Sequence, residues 1–239
     1  MIGRIEMIRT GLILAAGEGS RLRDSTPYKP LCLVAGRALI DRAIDNMAEA
    51  GMTRVVVSLG YGAEAIAAHL GARDRPITVE TVTTDYRQPN GVSALAARAA
   101  VGDGGAVMVM CDHLCEPRHY HRLAATSYGD GLTLGVDRRL GHRWVDPEDV
   151  TCVATAGDTI VAIGKGLEPH DCYDTGVFAV GPGFFAALAT LASPSLTEGV
   201  RILASRGSAH IVDCSDLDWI DVDDAKALAH AEAWQAALA

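Results

Sequence analysis

Four apolar residues, Leu12-Ile13-Leu14-Ala15, run straight into a turn of small residues, Ala16-Gly17-Glu18-Gly19. Arg21 follows the turn, and Lys29-Pro30 lies eight residues beyond Arg21. This break constrains the fold more than any other feature. An apolar strand buried on both faces calls for a parallel sheet between layers of helices. Glycines after such a strand let main-chain N–H groups approach an anion, because no Cβ stands in the way. Arg21 and Lys29 add positive charge at the same place, so the segment reads as a site for cleaving a nucleoside triphosphate. It is not a dinucleotide fingerprint, since Leu22 stands where a third glycine is needed. Nor is it a Walker A loop, since no Gly-Lys-Ser/Thr follows.

Periodicity extends the pattern along the first half. Residues 38–50 place Ile40, Ala43, Ile44 and Met47 on one helical face, 54–59 (RVVVSL) reads as a buried strand and 61–70 as a helix. A strand over 77–82, an alanine-rich helix over 92–101 and an apolar strand over 106–110 complete a βαβαβ order. The second half is different. Short strands are expected at 132–136, 150–155 and 159–163, with Gly157-Asp158 turning between the last two, then a strand at 177–180 and helices at 182–191 and 225–238. The expected fold is α/β: a Rossmann-like, mixed, mainly parallel sheet flanked by helices, with a small antiparallel insert facing the substrate over the open end of the sheet. No linker or repeat divides the chain, so residues 1–239 are expected to form one domain.

Composition excludes several functions. No run of about 20 apolar residues would span a bilayer. Arg4, Glu6 and Arg9 interrupt the N-terminal apolar stretch, which leads directly into the motif, so it is not read as a signal peptide and a cytoplasmic location is expected. A net charge of −9 argues against a nucleic-acid surface and leaves anion binding to a local basic pocket. The six cysteines show no CxxC pair or zinc spacing and read as small buried hydrophobes.

Two acidic stations remain. The apolar run in Met108 to His113 (MVMCDH) ends in Asp112, where a carboxylate faces the ligand crevice and can hold Mg²⁺ through oxygen; the structural alternative is a cap for a helix starting near Glu116. In Trp219-Ile220-Asp221-Val222-Asp223-Asp224, alternation puts Asp221 and Asp223 on one side. One of Asp223 and Asp224 is expected to cap the last helix, leaving Asp221 as the second metal ligand. His113 reads either as a substrate contact or as a hydrogen-bonded structural residue.

The segment from Leu12 to Leu31 resembles the signature of the sugar-phosphate nucleotidyltransferase superfamily. Asn90-Gly91-x-Ser93, Cys111-Asp112-His113, Ile163-Gly164-Lys165, Asp171 to Gly176 and Ile220 to Asp223 follow in an order similar to the inositol-1-phosphate cytidylyltransferases, over essentially the whole chain. Cys111 and Leu114-Cys115 depart from the small or aromatic residues more usual around the Asp-His pair. The resemblance implies a nucleotidyltransferase fold similar to that of GT-A enzymes. It implies CTP and a small phosphorylated acceptor as partners, Mg²⁺ as cofactor, no nucleic acid and no membrane; a homodimer is compatible with it. By the same resemblance, Leu14, Ala15, Ala16, Gly17, Glu18 and Gly19 hold the triphosphate and base, with Arg21 and Lys29 acting on its phosphates. Asn90, Gly91 and Ser93 border the cytosine and ribose, and Asp112 and Asp221 bind the metal. Lys165 meets the acceptor phosphate, and His113, Asp174, Thr175 and Gly176 lie beside its head group.

Overall fold

The computed structural model describes residues 7–238; Arg4 and Glu6, which interrupt the N-terminal apolar stretch, lie outside them. In chain order the first half carries β1 (Thr10–Ala15), the small pair β2 (Leu33–Val34) and β3 (Arg37–Ala38), α1 (Leu39–Glu49), β4 (Arg54–Leu59) and α2 (Ala63–Gly71). Then come β5 (Thr78–Thr83), α3 (Asn90–Ala96), α4 (Arg98–Val101) and β6 (Ala106–Met110). The second half carries β7 (His113–Cys115), α5 (Pro117–Ala124), β8 (Leu132–Asp137), β9 (Thr151–Ala156), β10 (Thr159–Lys165) and β11 (Cys172–Val180). It closes with α6 (Pro182–Leu188), α7 (Leu196–Ser205), β12 (Ala209–Asp213), β13 (Trp219–Asp221) and α8 (Ala225–Leu238).

Nine strands form one sheet in the order β5-β4-β1-β6-β11-β8-β12-β10-β9. The first four are parallel, as the βαβαβ order predicts. Alternation along them feeds two cores. Ile13, Val55, Val57 and Val109 pack beneath α1, α2 and α5, while Leu12, Leu14, Val56 and Met108 pack against α3, α6 and α7. Coverage on both faces is why β1, β4 and β6 read as unbroken apolar runs.

The antiparallel strands are not a separate layer over the sheet. They continue it, because β11 runs antiparallel to β6 and satisfies the main-chain groups that β6 would otherwise leave unpaired. At its other end β11 pairs through Cys172 and Tyr173 with β9, so the far side of the sheet curls onto itself. β11 also starts five residues before the expected strand. Asp174, Thr175 and Gly176 therefore lie inside it, at a break in its register with β8, and not in a connecting turn.

Periodicity missed α7, β12 and the short pairs β2–β3 and β7–β13. α7 opens on a capping box, Ser195 with Glu198, whose Ser-x-x-Glu spacing was visible in the chain. β12 and the pair β7–β13 are short and gain their definition from partners distant in sequence. All six cysteines are buried and free, as expected. Among the described residues no helix is long and apolar enough to cross a membrane.

Candidate active site

The loop after β1 is built around two glycines with different needs. Gly19 has φ +60°, and a Cβ there would fall 2.4 Å from Lys29 Cβ, so its bare backbone makes room for the lysine stem. A Cβ on Gly17 would meet nothing within 4 Å, leaving its main chain open to an approaching group. Leu14, Ala15, Gly17, Gly19, Arg21 and Lys29 line a cavity of about 270 Å³ with Asp112 at its inner end. Ala16 is buried beneath the loop, and its carbonyl accepts from Tyr61 N. Glu18 turns outward to pair with Arg23.

Three carboxylates converge on one ammonium at that inner end. Lys29 Nζ lies 2.5 Å from Asp112 Oδ2 and 4.0 Å from Asp221 Oδ1, and it is paired with Asp223 as well. Asp112 stands between β6 and β7, and the antiparallel pairing of β7 with β13 sets Asp221 opposite His113. Asp112 does not cap α5, whose N-cap is Glu116. Burial works against the charge on Lys29, but Asp112, Asp221 and Asp223 outweigh it and raise its pKa. Burial pushes Asp221 up to about 7; His113 and Lys29 oppose the shift, while Asp112 and Asp223 add to it. Asp223, which alternation had placed beside Asp221, is thus part of the cluster. Asp224 is the cap of the last helix, accepting from Ala227 N at 2.7 Å.

His113 is held on three sides. Its Nδ1 is 2.9 Å from the Thr175 carbonyl, its ring stacks on Trp219 at 5.9 Å with an interplanar angle of 6°, and Nε2 faces Asp221 Oδ2 at 3.6 Å. Trp219 in turn donates Nε1–H to the fully buried Asp137, which Arg139 also grips through both carboxylate oxygens. Burial disfavours a charge on the imidazole, yet Asp221, Asp112 and Asp174 together raise its pKa. Asp174 is itself pushed up to about 6 by burial, opposed by a hydrogen bond from Gly176 N.

A second cavity of about 400 Å³ adjoins the first, and Arg21, Met110, Asp112 and Asp223 line both. Asn90, His113, Lys165, Asp174, Gly176 and Asp221 border it. On the wall of the larger cavity, Asp149 bridges two of the three expected phosphate-binding cations: its Oδ2 is 2.9 Å from Arg21, and it also pairs with Lys165. Hydrogen bonding from Lys165, with Arg21 adding to it, holds the Asp149 carboxyl down at about 2. Nothing in the chain pointed to Asp149, which lies 128 residues from Arg21.

Three of the expected contact residues, Gly91, Ser93 and Thr175, are not among the residues lining either cavity. A Cβ on Gly91 would meet the Pro194 carbonyl oxygen at 2.6 Å, so this glycine lets α3 approach the segment before α7 closely. Ser93 is buried, and its carbonyl accepts from Ser58 Oγ. The Thr175 hydroxyl is fully buried and donates to the Gly135 carbonyl, so only its main chain reaches the site. Asn90 borders the larger cavity while its side-chain oxygen accepts from Leu196 N.

The carboxylates suit a divalent cation. Asp112 Oδ1 and Asp221 Oδ1 are both buried without a hydrogen-bond partner, and such orphaned acceptors are costly unless a cation or donor meets them. Asp112, His113 and Asp221 offer ligand atoms that all lie within 4.8 Å of one another.

Residues 11–205 match the MobA-like NTP transferase domain. The chain belongs to that family. Among curated proteins, this MobA-like NTP transferase is 34% identical over 219 residues to the bifunctional IPC transferase and DIPP synthase of Rubrobacter xylanophilus, covering 88% of the chain and 48% of the relative. It is 30% identical over 225 residues to the protein of the same name from Aquifex aeolicus, covering 91% of the chain and 49% of the relative. The chain therefore spans about half the length of these relatives. In fold it resembles the inositol-1-phosphate CTP transferase from T. maritima, with a TM-score of 0.83 at 21% identity over 92% of this chain and 91% of that one. It also resembles the UTP-bound UGPase from Acinetobacter baumannii, with a TM-score of 0.77 at 16% identity, covering 96% and 93% of the two chains.

Proposed function

We propose that this MobA-like NTP transferase is a cytidylyltransferase. It would join CTP to a small phosphorylated polyol similar to inositol 1-phosphate, giving a CDP-linked product and pyrophosphate. One observation carries the reading. Two cavities, one floored by a glycine loop and one bordered by polar side chains, meet at Arg21, Asp112 and Asp223 beside a buried lysine. That is the arrangement an in-line transfer between two phosphates requires. The names of the curated relatives and of the T. maritima structure support CTP and an inositol phosphate as the pair.

In this reading the triphosphate lies along the loop from Leu14 to Gly19, with the open main chain of Gly17 against it. An acceptor phosphate oxygen attacks the α-phosphorus. The bond from that phosphorus to the bridging oxygen breaks, and pyrophosphate leaves with the electron pair. No side-chain nucleophile is needed, because a phosphate dianion already attacks well; the protein positions the partners and offsets charge. Lys29 and Arg21 exchange their present carboxylate partners for phosphate oxygens. Lys165 holds the attacking phosphate once Asp149 gives way, and Asp174 and His113 border the acceptor head group. Asp112 and Asp221 are the residues to hold Mg²⁺, which when bound neutralises charge on the α-phosphate and the departing pyrophosphate. We further take the chain to act as one catalytic unit and, as a consumer of nucleoside triphosphate, to work in the cytoplasm.

The test is pyrophosphate release with four nucleoside triphosphates crossed against phosphorylated polyols, amino-alcohols and phosphonates. The expected optimum is CTP with inositol 1-phosphate. Faster turnover with UTP or GTP would overturn the cytidylyl assignment and leave nucleotidyl transfer standing. No release with any pair would overturn both.

A further inference from the structure

We propose that His113 is a third, nitrogen ligand of the divalent-cation site, so that the site takes Mn²⁺ or Co²⁺ in preference to Mg²⁺. The proposal rests on the metal-dependent reading above and concerns what holds the ion.

The argument begins with the direction of one hydrogen bond. His113 Nδ1 lies 2.9 Å from the Thr175 carbonyl oxygen. A carbonyl has no proton to give, so Nδ1 carries the hydrogen and donates it. In the neutral ring Nε2 then presents a lone pair, and that lone pair faces Asp221 Oδ2 at 3.6 Å. The Nε2 edge thus opens on two buried carboxylate oxygens without a hydrogen-bond partner, Asp112 Oδ1 and Asp221 Oδ1. One ligand atom from each of Asp112, His113 and Asp221 lies within 4.8 Å of the other two.

The surroundings fix the ring as a metal ligand is fixed. Metal-binding histidines donate the other ring N–H to a carbonyl or carboxylate, which sets the tautomer and aims the free nitrogen. Here the Thr175 carbonyl does that. The stack on Trp219 sets the plane of the ring, and Trp219 is anchored to buried Asp137 through Nε1 at 2.9 Å. Asp137 is tied down by Arg139.

The donor set then decides the metal. Mg²⁺ prefers oxygen and keeps much of its water. First-row transition ions such as Mn²⁺ and Co²⁺ accept imidazole nitrogen more readily than Mg²⁺ does.

The experiment uses the full chain with its histidines labelled with ¹⁵N, titrated with Mn²⁺ with and without CTP and followed by electron paramagnetic resonance. Labelling separates histidine nitrogen from the cytosine nitrogens of the nucleotide. The expected result is a ¹⁵N coupling on bound Mn²⁺, displacement by Mg²⁺ only in large excess, and a weakening of Mn²⁺ binding of at least tenfold in His113→Gln. His113→Phe, which keeps the ring stack on Trp219, is expected to lose the coupling too. The wild-type spectrum needs no variant to fold. Bound Mn²⁺ without ¹⁵N coupling, or His113→Gln binding as the wild type does, would overturn this proposal and leave the Asp112–Asp221 reading intact. Failure of the wild type to bind Mn²⁺, with CTP as without it, would overturn both.

Discussion

A Cβ at Gly176 would lie 2.2 Å from His113 Nδ1, so the missing side chain of one residue sets the position of the imidazole of the other. Gly176 also has φ +77°, a conformation that costs an L-residue about 1–2 kcal/mol.

Gly176→Ala therefore combines backbone strain with displacement of His113. The thermal midpoint is expected to fall by several degrees for a chain of this size, and turnover to fall at least tenfold. Calorimetry and initial pyrophosphate release measure the two separately. A lowered midpoint with unchanged turnover would show that the position of the ring does not matter to the reaction.

Lys29 sits among Asp112, Asp221 and Asp223, which keep it charged despite its burial. Lys29→Ala is expected to lower kcat on the order of 10²-fold, the usual cost of removing a group that stabilises transition-state charge. Steady-state kinetics with varied CTP distinguish this from simple binding. A change confined to KM for CTP would contradict the role.

Asp149 now occupies the two cations, Arg21 and Lys165, that the proposed substrates need. Both pairs reach solvent, and exposed pairs contribute only about 0.2–1 kcal/mol each. Asp149→Ala is expected to lower KM for the acceptor by about two- to fivefold, with kcat little changed. A raised KM would show instead that Asp149 positions Lys165 for binding.

His119 is fully buried with neither ring nitrogen hydrogen-bonded. Burial pushes its pKa down to about 4; Glu116 and Asp137 oppose the shift and Arg122 adds to it. Below an unfolded value of about 6.5 the unfolded chain takes a proton that the folded ring refuses. Its contribution is thus complete above pH 6.5 and is lost as pH falls toward 4, at a cost of about 2 kcal/mol by pH 5. Urea unfolding at pH 7.5 and pH 5 should show His119→Leu losing less stability on acidification than the wild type. Equal losses would mean that His119 does not titrate in this window.

Much of this was legible in the chain because it follows from local chemistry. An apolar run that ends in Gly17 and Gly19 has few ways to fold. β4 and β6 fall where their apolar runs lie, since each is covered on both faces. Alternation put Asp223 beside Asp221, though not against Lys29, because period tells which side a residue faces and not what stands there. The second half was harder to read. β7 and β13 have three residues each and exist only by pairing with one another.

By itself, then, the sequence determined the parallel half of the sheet, the glycine loop with its two cations, and the two acidic strand ends. Each is set by residues within a few positions of one another, through burial, steric freedom or charge. The tertiary structure decided which of those charges meet. It joined Asp149 to Arg21, set Gly91 against the Pro194 carbonyl, and drew Thr175 inward so that its carbonyl orients His113. Those outcomes depend on contacts between residues far apart in the chain, and only the packed sheet brings such residues together.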